Sequence, residues 1–61
     1  MINNTYKINS HVCIVALGAD GRVLEILVDR LGIQYDIRYF WEGTAQSAWF
    51  YEDELTEPKD D

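Results

Sequence analysis

The chain has 61 residues, a length that allows one small domain with a thin hydrophobic core. It carries 11 acidic and 5 basic residues, and the formal charge of −6 argues against generic binding to nucleic acid or to an anionic membrane. A single cysteine excludes an internal disulfide, and no apolar run resembles a signal peptide or a membrane span, so we expect a cytoplasmic protein. Because so small a core stabilises a fold only weakly, we expect association with another chain to add stability.

The first part of the chain predicts an irregular arm followed by a strand. Residues 1–10 are polar with scattered apolar positions, of which Tyr6 and Ile8 could pin the arm to the rest of the domain. Residues 11–17 are rich in β-branched and small apolar side chains, which is typical of a strand buried along most of its length.

The next segment predicts a tight turn and a second strand. Gly18 and Gly21 are both expected to supply the positive φ angles of the turn. In residues 22–29 the apolar positions do not alternate cleanly, and Val23 and Ile26 have a spacing that a helix could also show. Eight residues without a cap make a poor helix, so we favour a bent or bulged strand.

The third strand has the clearest pattern of the chain. Residues 33–41 alternate strictly between apolar and polar side chains, and Phe40 alone breaks the polar face. The apolar face of this strand is formed by Ile33, Tyr35, Ile37, Tyr39 and Trp41.

The last third of the chain predicts a turn at residues 42–44 and a fourth strand at residues 45–51. Residues 53–55 can form one short 3₁₀ turn, with Leu55 covering an open end of a barrel. The acidic tail at residues 59–61 is expected to be disordered.

Four short motifs resemble those of small SH3-like barrel proteins of bacteria and phages, most closely the short, acidic phage or prophage proteins. These motifs are Gly21-x-Val23-x-x-Ile26, Tyr35-x-Ile37-Arg38-Tyr39, Gly43, and Phe50-Tyr51-Glu52-x-Glu54-Leu55. The resemblance covers residues 11–58 and implies an all-β barrel of about five antiparallel strands with a short 3₁₀ turn near the C-terminus. It leaves the function open, because such barrels serve as adaptors, nucleic-acid binders and inhibitors alike. The chain lacks the basic surface of the nucleic-acid-binding members.

The sequence contains no catalytic or metal-binding motif. His11 and Cys13 would share one face of a strand and could supply two zinc ligands, yet there is no second histidine and no Cys-x-x-Cys pair. We therefore expect a core cysteine beside a half-exposed histidine, with no metal and no cofactor. His11 is also the only imidazole that could activate Ser10 or Ser47, so an enzyme is not expected.

The aromatic residues give the better indication of function. Two Trp, four Tyr and two Phe exceed what so small a barrel can enclose, so several of them should face outward. We predict that an aromatic patch docks on another protein and that neighbouring acids steer association to a basic surface. The predicted partner-binding residues are Phe40, Trp41, Trp49, Glu52, Asp53 and Glu54.

The sequence thus favours a non-catalytic protein-binding module, interpreted as a phage or mobile-element accessory factor that binds or inhibits a host protein. If the basic surface it binds normally holds nucleic acid, the module would be an inhibitor by charge mimicry. Two explanations remain beside it: the aromatics could serve self-assembly into a dimer or ring, or merely cover the barrel edge. A third is a small anionic ligand held between subunits by Arg22, Arg30 or Arg38, although surface ion pairs with the neighbouring aspartates explain these arginines more simply. Those aspartates are Asp20, Asp29 and Asp36.

Overall fold

A computed structural model describes residues 6–58 and shows five antiparallel strands in one open sheet. The strands are β1 (His11–Ile14), β2 (Ala19–Asp29), β3 (Gly32–Trp41), β4 (Thr44–Tyr51) and β5 (Leu55–Thr56), with a 3₁₀ turn at Glu52–Glu54. Their order across the sheet is β4-β3-β2-β1-β5. The first four strands therefore form a meander, and the chain returns after the 3₁₀ turn to pair β5 with β1. The all-β prediction is confirmed; the predicted disorder of residues 59–61 and the first half of the predicted arm lie outside the described residues.

The first strand is shorter than predicted. It ends at Ile14, whose carbonyl oxygen accepts hydrogen bonds from the N–H groups of Leu17 (3.2 Å) and Gly18 (2.8 Å). These bonds turn the chain back at once, and Gly18 adopts the expected positive φ of 66°. The prediction that residues 15–17 continue the strand is wrong, because Ile14 has already closed the turn.

Gly21 is not a turn residue, and the prediction of a positive φ there is wrong. It lies inside β2 opposite Tyr39, where the two backbones approach closely. A Cβ atom at this position would collide with the Ile37 side chain and would lie 2.8 Å from the carbonyl oxygen of Arg38. The glycine is thus required for interstrand packing.

The bulge predicted for the second strand is confirmed. The register between β2 and β3 shifts between Val23 and Glu25, so that Leu24 is an extra residue on β2. At the same place the arm joins β2: Asn9 donates its N–H to the Val23 carbonyl at 2.8 Å, and Val23 donates its N–H to the carbonyl of Ser10 at 3.0 Å. Both the N–H and the carbonyl group of Val23 are therefore hydrogen-bonded to the arm.

The predicted alternation of β3 is confirmed and builds the core. The buried apolar residues come from the arm, β1, β2, β3 and β5, and they are Tyr6, Val12, Ile14, Val23, Tyr35, Ile37, Tyr39 and Leu55. Trp41 continues the inward pattern but stays 38% exposed, because the pairing of β3 with β2 ends at Tyr39. Leu55 is buried, in β5, and pairs with Ile14.

Both predicted features of the C-terminal part are confirmed with small shifts. Glu42 and Gly43 form the β3–β4 turn with φ angles of 52° and 78°, the two positive values that a type I′ hairpin turn requires. The 3₁₀ turn begins one residue earlier than predicted, at Glu52. The Glu54 carboxylate accepts the backbone N–H of Tyr51 at 2.7 Å and so closes this turn.

Tyr6 makes stability depend on pH in the alkaline range. Burial, and then the charges of Glu57 and Glu52, raise the pKa of the Tyr6 hydroxyl above its ordinary value of 10.0. The unfolded chain therefore loses this proton at lower pH than the folded chain, and stability falls as pH rises through the folded pKa. We expect urea midpoints measured from about pH 9 to about pH 11 to fall more steeply for the wild type than for Tyr6→Phe. Identical slopes for the two proteins would contradict the assignment.

Candidate functional site

The sheet has an inner face that carries the core and an outer face whose side chains point to solvent. Phe40 and Trp49 both lie on the outer face and are 64% and 44% exposed. Phe40 lies opposite Ala45, whereas Trp49 lies opposite Asp36. The two aromatics are thus four positions apart along the hairpin, about 13 Å.

Trp41 belongs to the inner face, next to the turn of the β3–β4 hairpin. The structure therefore exposes all three predicted aromatic residues but does not bring them together in one patch. Side chains at successive strand positions point to opposite faces, which separates Trp41 from its neighbour Phe40.

The three predicted acids lie in the 3₁₀ turn, at the end of β4 far from Phe40. The Glu52 carboxylate accepts a hydrogen bond from the hydroxyl of Tyr35 at 2.8 Å, and Glu54 accepts the N–H of Tyr51. Two of the acids thus stabilise local structure, and Asp53 is exposed beside them. Trp49 is the aromatic residue nearest to this acidic turn along the chain among the three predicted for partner binding.

The β4 strand forms an edge of the sheet that the sequence analysis did not single out. It stands last in the strand order, and its eight residues carry no charge and no proline. The run of uncharged residues between Glu42 and Glu52 is visible in the sequence. It does not show that β4 is an edge strand, because that depends on the strand order.

The backbone groups that β4 presents to solvent follow from the hairpin geometry. A two-residue turn makes its flanking residues, Trp41 and Thr44, a hydrogen-bonded pair, and the pairing then alternates along the strand. The backbone groups of Ala45, Ser47, Trp49 and Tyr51 consequently point away from β3. The bond from the Tyr51 N–H to Glu54 agrees with this assignment. Ala45, Ser47 and Trp49 thus form the open edge.

The structure brings together two of the three predicted ligand-binding arginines. Arg22 on β2 and Arg38 on β3 are direct cross-strand partners on the outer face, and His11 on β1 is the partner of Arg22 on the other side. Arg30 lies in the β2–β3 turn, about 25 Å along β2 from Arg22. The guanidinium carbon of Arg38 stands 5.9 Å from the centre of the Phe40 ring.

The predicted ion pairs between these arginines and their neighbouring aspartates are wrong. Among residues 6–58, no carboxylate lies within ion-pair distance of an arginine. The Asp29 carboxylate instead accepts the N–H groups of Leu31 (2.8 Å) and Gly32 (3.1 Å) and the side-chain amide of Gln34 (2.6 Å). The Asp29 carboxylate thus closes the β2–β3 hairpin turn.

A groove on the outer face runs along the arginine pair. Its volume is about 350 Å³, and it is lined by His11, Asp20, Gly21, Arg22, Arg38, Tyr39, Phe40 and Pro58. This size is at the lower end of the range for small-molecule sites. The groove combines cationic side chains with one exposed aromatic ring.

The prediction of a core cysteine is wrong. Cys13 is half-buried on the outer face, because its neighbours Val12 and Ile14 take the inward positions of β1. His11 lies on the same face and is exposed. Within residues 6–58, no three side chains of the His, Cys, Asp and Glu types are close enough together to hold a metal ion.

Comparison with known proteins found no match to a family model, to a curated protein or to a solved structure. In the part of the chain that the structure describes, no helix has the length and apolar character needed to cross a membrane.

Proposed function

We propose that the chain is a non-catalytic SH3-like domain that binds an extended segment of another protein along β4. The SH3-like assignment is supported by the strand order: a four-stranded meander, a 3₁₀ turn, and a last strand that returns to pair with the first. The role as a phage or mobile-element factor stays a prediction from the resemblance.

The open edge of β4 is the observation that carries this proposal. Proteins protect exposed edges with charges, prolines, bulges or short strands, and β4 has none of these over its eight residues. An added strand would pair with the backbone groups of Ala45, Ser47 and Trp49 that point away from β3. Trp49 would pack against the added strand, because its exposed ring stands on the outer face directly at the edge.

The charge of the chain favours a basic partner over a second copy. Each copy has a formal charge of −6, so pairing two copies along β4 brings like charges together. The acidic turn at Glu52–Glu54 lies at one end of the edge and would attract lysines or arginines beyond the paired segment of the partner. The partner we infer is therefore an extended, basic segment with an apolar residue facing Trp49.

The substitution Ser47→Pro tests this edge directly. It removes an N–H that points to solvent and leaves the bonds to β3 in place, so the fold should tolerate it. We expect the tagged wild type and Ser47→Ala to retain a partner from lysate and Ser47→Pro to lose it. In the wild-type complex, hydrogen exchange should slow at the amides of Ala45, Ser47 and Trp49.

Two results would contradict the proposal. Capture that persists with Ser47→Pro, or slowed exchange confined to other strands, would remove β4 as the binding edge. A wild type that sediments as a dimer with no partner, together with a monomeric Ser47→Pro, would assign the edge to self-assembly. Asp53→Lys tests the charge argument separately, because Asp53 is exposed and its replacement should slow association at low salt.

A further inference from the structure

We propose that the outer-face groove between β1, β2 and β3 binds a small phosphate monoester that carries a flat ring. The phosphate lies between Arg22 and Arg38, and the ring packs on Phe40. This site is independent of the β4 edge, since it lies on the opposite side of β3 and uses other residues.

The arginine pair is the first reason. Side chains of direct cross-strand partners have Cβ atoms about 5 Å apart, and like charges in this position destabilise a sheet. The chain has only five Lys and Arg residues against 11 acids, yet two of its arginines face each other with no carboxylate paired to either within residues 6–58. An anion bound between the two guanidinium groups offsets this repulsion and accepts several charge-assisted hydrogen bonds.

His11 adds a third donor to the same row. It is the cross-strand partner of Arg22 and lines the groove, so that three neighbouring strands each contribute one cationic or hydrogen-bonding side chain. A phosphate has three free oxygens around one centre and suits donors that converge from several strands. A single surface arginine would not provide this arrangement.

Phe40 supplies the reason for a ring. It lines the groove and is largely exposed, and the Arg38 guanidinium lies 5.9 Å from its centre. A flat ring stacked on Phe40 would therefore stand next to a phosphate held by Arg38. Stacking of this kind is tolerant of ring type, so the class of ligand is a mononucleotide or a similar aromatic phosphate.

The remaining charges limit the size of the ligand. Asp20 lies on β2 two residues before Arg22, lines the groove, and repels a second phosphate. The overall charge of −6 opposes binding of a long polyanion, whereas a monoester places only one phosphate, between Arg22 and Arg38. The ligand is thus a single small molecule and not a nucleic-acid strand.

Titration with adenosine monophosphate, inorganic phosphate and adenosine, followed by NMR shifts of the backbone amides, tests the site. We expect saturable binding of adenosine monophosphate with shifts at residues 20–22 and 38–40, weaker binding of phosphate, and no binding of adenosine. Arg22→Gln should weaken the binding of adenosine monophosphate about tenfold to a hundredfold. Arg30→Gln is the matched control and should change its affinity less than about twofold, because Arg30 lies in the distant turn.

Further variants separate the contributions of the ring and of Asp20. Phe40→Leu should weaken the binding of adenosine monophosphate about fivefold or more and leave the affinity for inorganic phosphate unchanged. Asp20→Asn should strengthen the binding of both adenosine monophosphate and inorganic phosphate, because it removes a negative charge from the groove. Thermal unfolding of Arg22→Gln should not occur at lower temperature than that of the wild type, since the substitution removes a repulsion. The proposal is overturned if no adenosine monophosphate binds at millimolar concentration, or if Arg30→Gln weakens it as much as Arg22→Gln.

Discussion

Tyr35→Ala is expected to remove about a third or more of the free energy of unfolding of the domain. Tyr35 is fully buried at the centre of β3, and its ring meets Tyr6 edge-on with ring centres 5.4 Å apart. Removing a buried aromatic side chain costs about 3–5 kcal/mol, whereas a chain of this length has a total stability of roughly 3–9 kcal/mol. Circular dichroism with urea titration measures the loss.

Tyr35→Phe is the control, because it keeps the ring and removes only the hydroxyl. That hydroxyl donates to Glu52 at 2.8 Å and accepts the Tyr6 N–H at 3.4 Å, so it joins the arm, β3 and the 3₁₀ turn. We expect a cost of about 1–2 kcal/mol with the fold retained. Equal losses for the two variants would show that the hydroxyl and not the buried ring holds the core together. A loss below about 1 kcal/mol for Tyr35→Ala would exclude Tyr35 as the centre of the core.

Gly21→Ala is expected to cost about 1–3 kcal/mol or more, although it adds a single methyl group. The added Cβ would meet the Ile37 side chain and lie 2.8 Å from the Arg38 carbonyl oxygen. A side-chain atom can move aside, but the carbonyl belongs to the β2–β3 ladder and moves only with the backbone. Urea unfolding at neutral pH gives the difference from the wild type.

The matched control is Gly18→Ala, in which the same methyl group meets open space. No atom of another part of the chain lies within 4 Å of the place that this Cβ would occupy, and the cost is limited to the left-handed backbone with its φ of 66°. We expect about 1 kcal/mol. A Gly18→Ala protein less stable than Gly21→Ala would contradict the close approach of β2 and β3 at Gly21.

The β2 bulge shows which part of the candidate ligand site can be predicted from the sequence. The irregular spacing of Val23 and Ile26 predicts a bulge, because both residues must point inward. With the hairpin register that begins at Asp29 and Gly32, an unbulged β2 would place Val23 opposite Arg38. The extra residue moves Val23 opposite Ile37 and brings Arg22 opposite Arg38. The spacing of apolar residues predicts the bulge but not the arginine pair that results from it.

The aromatic residues show the same limit. The alternation of residues 33–41 determined that Tyr35 and Tyr39 point inward and that Phe40 points outward, because side-chain direction in a strand depends only on position along the chain. The sequence by itself thus determined the all-β class, the hairpin turn at Gly43, the bulge and the inner face of β3. Which strand lies at the edge, which residues face each other across strands, and that Gly21 packs against β3 were decided only by the tertiary structure. These features depend on strand order and register, which join residues far apart in the chain and leave no local pattern in it.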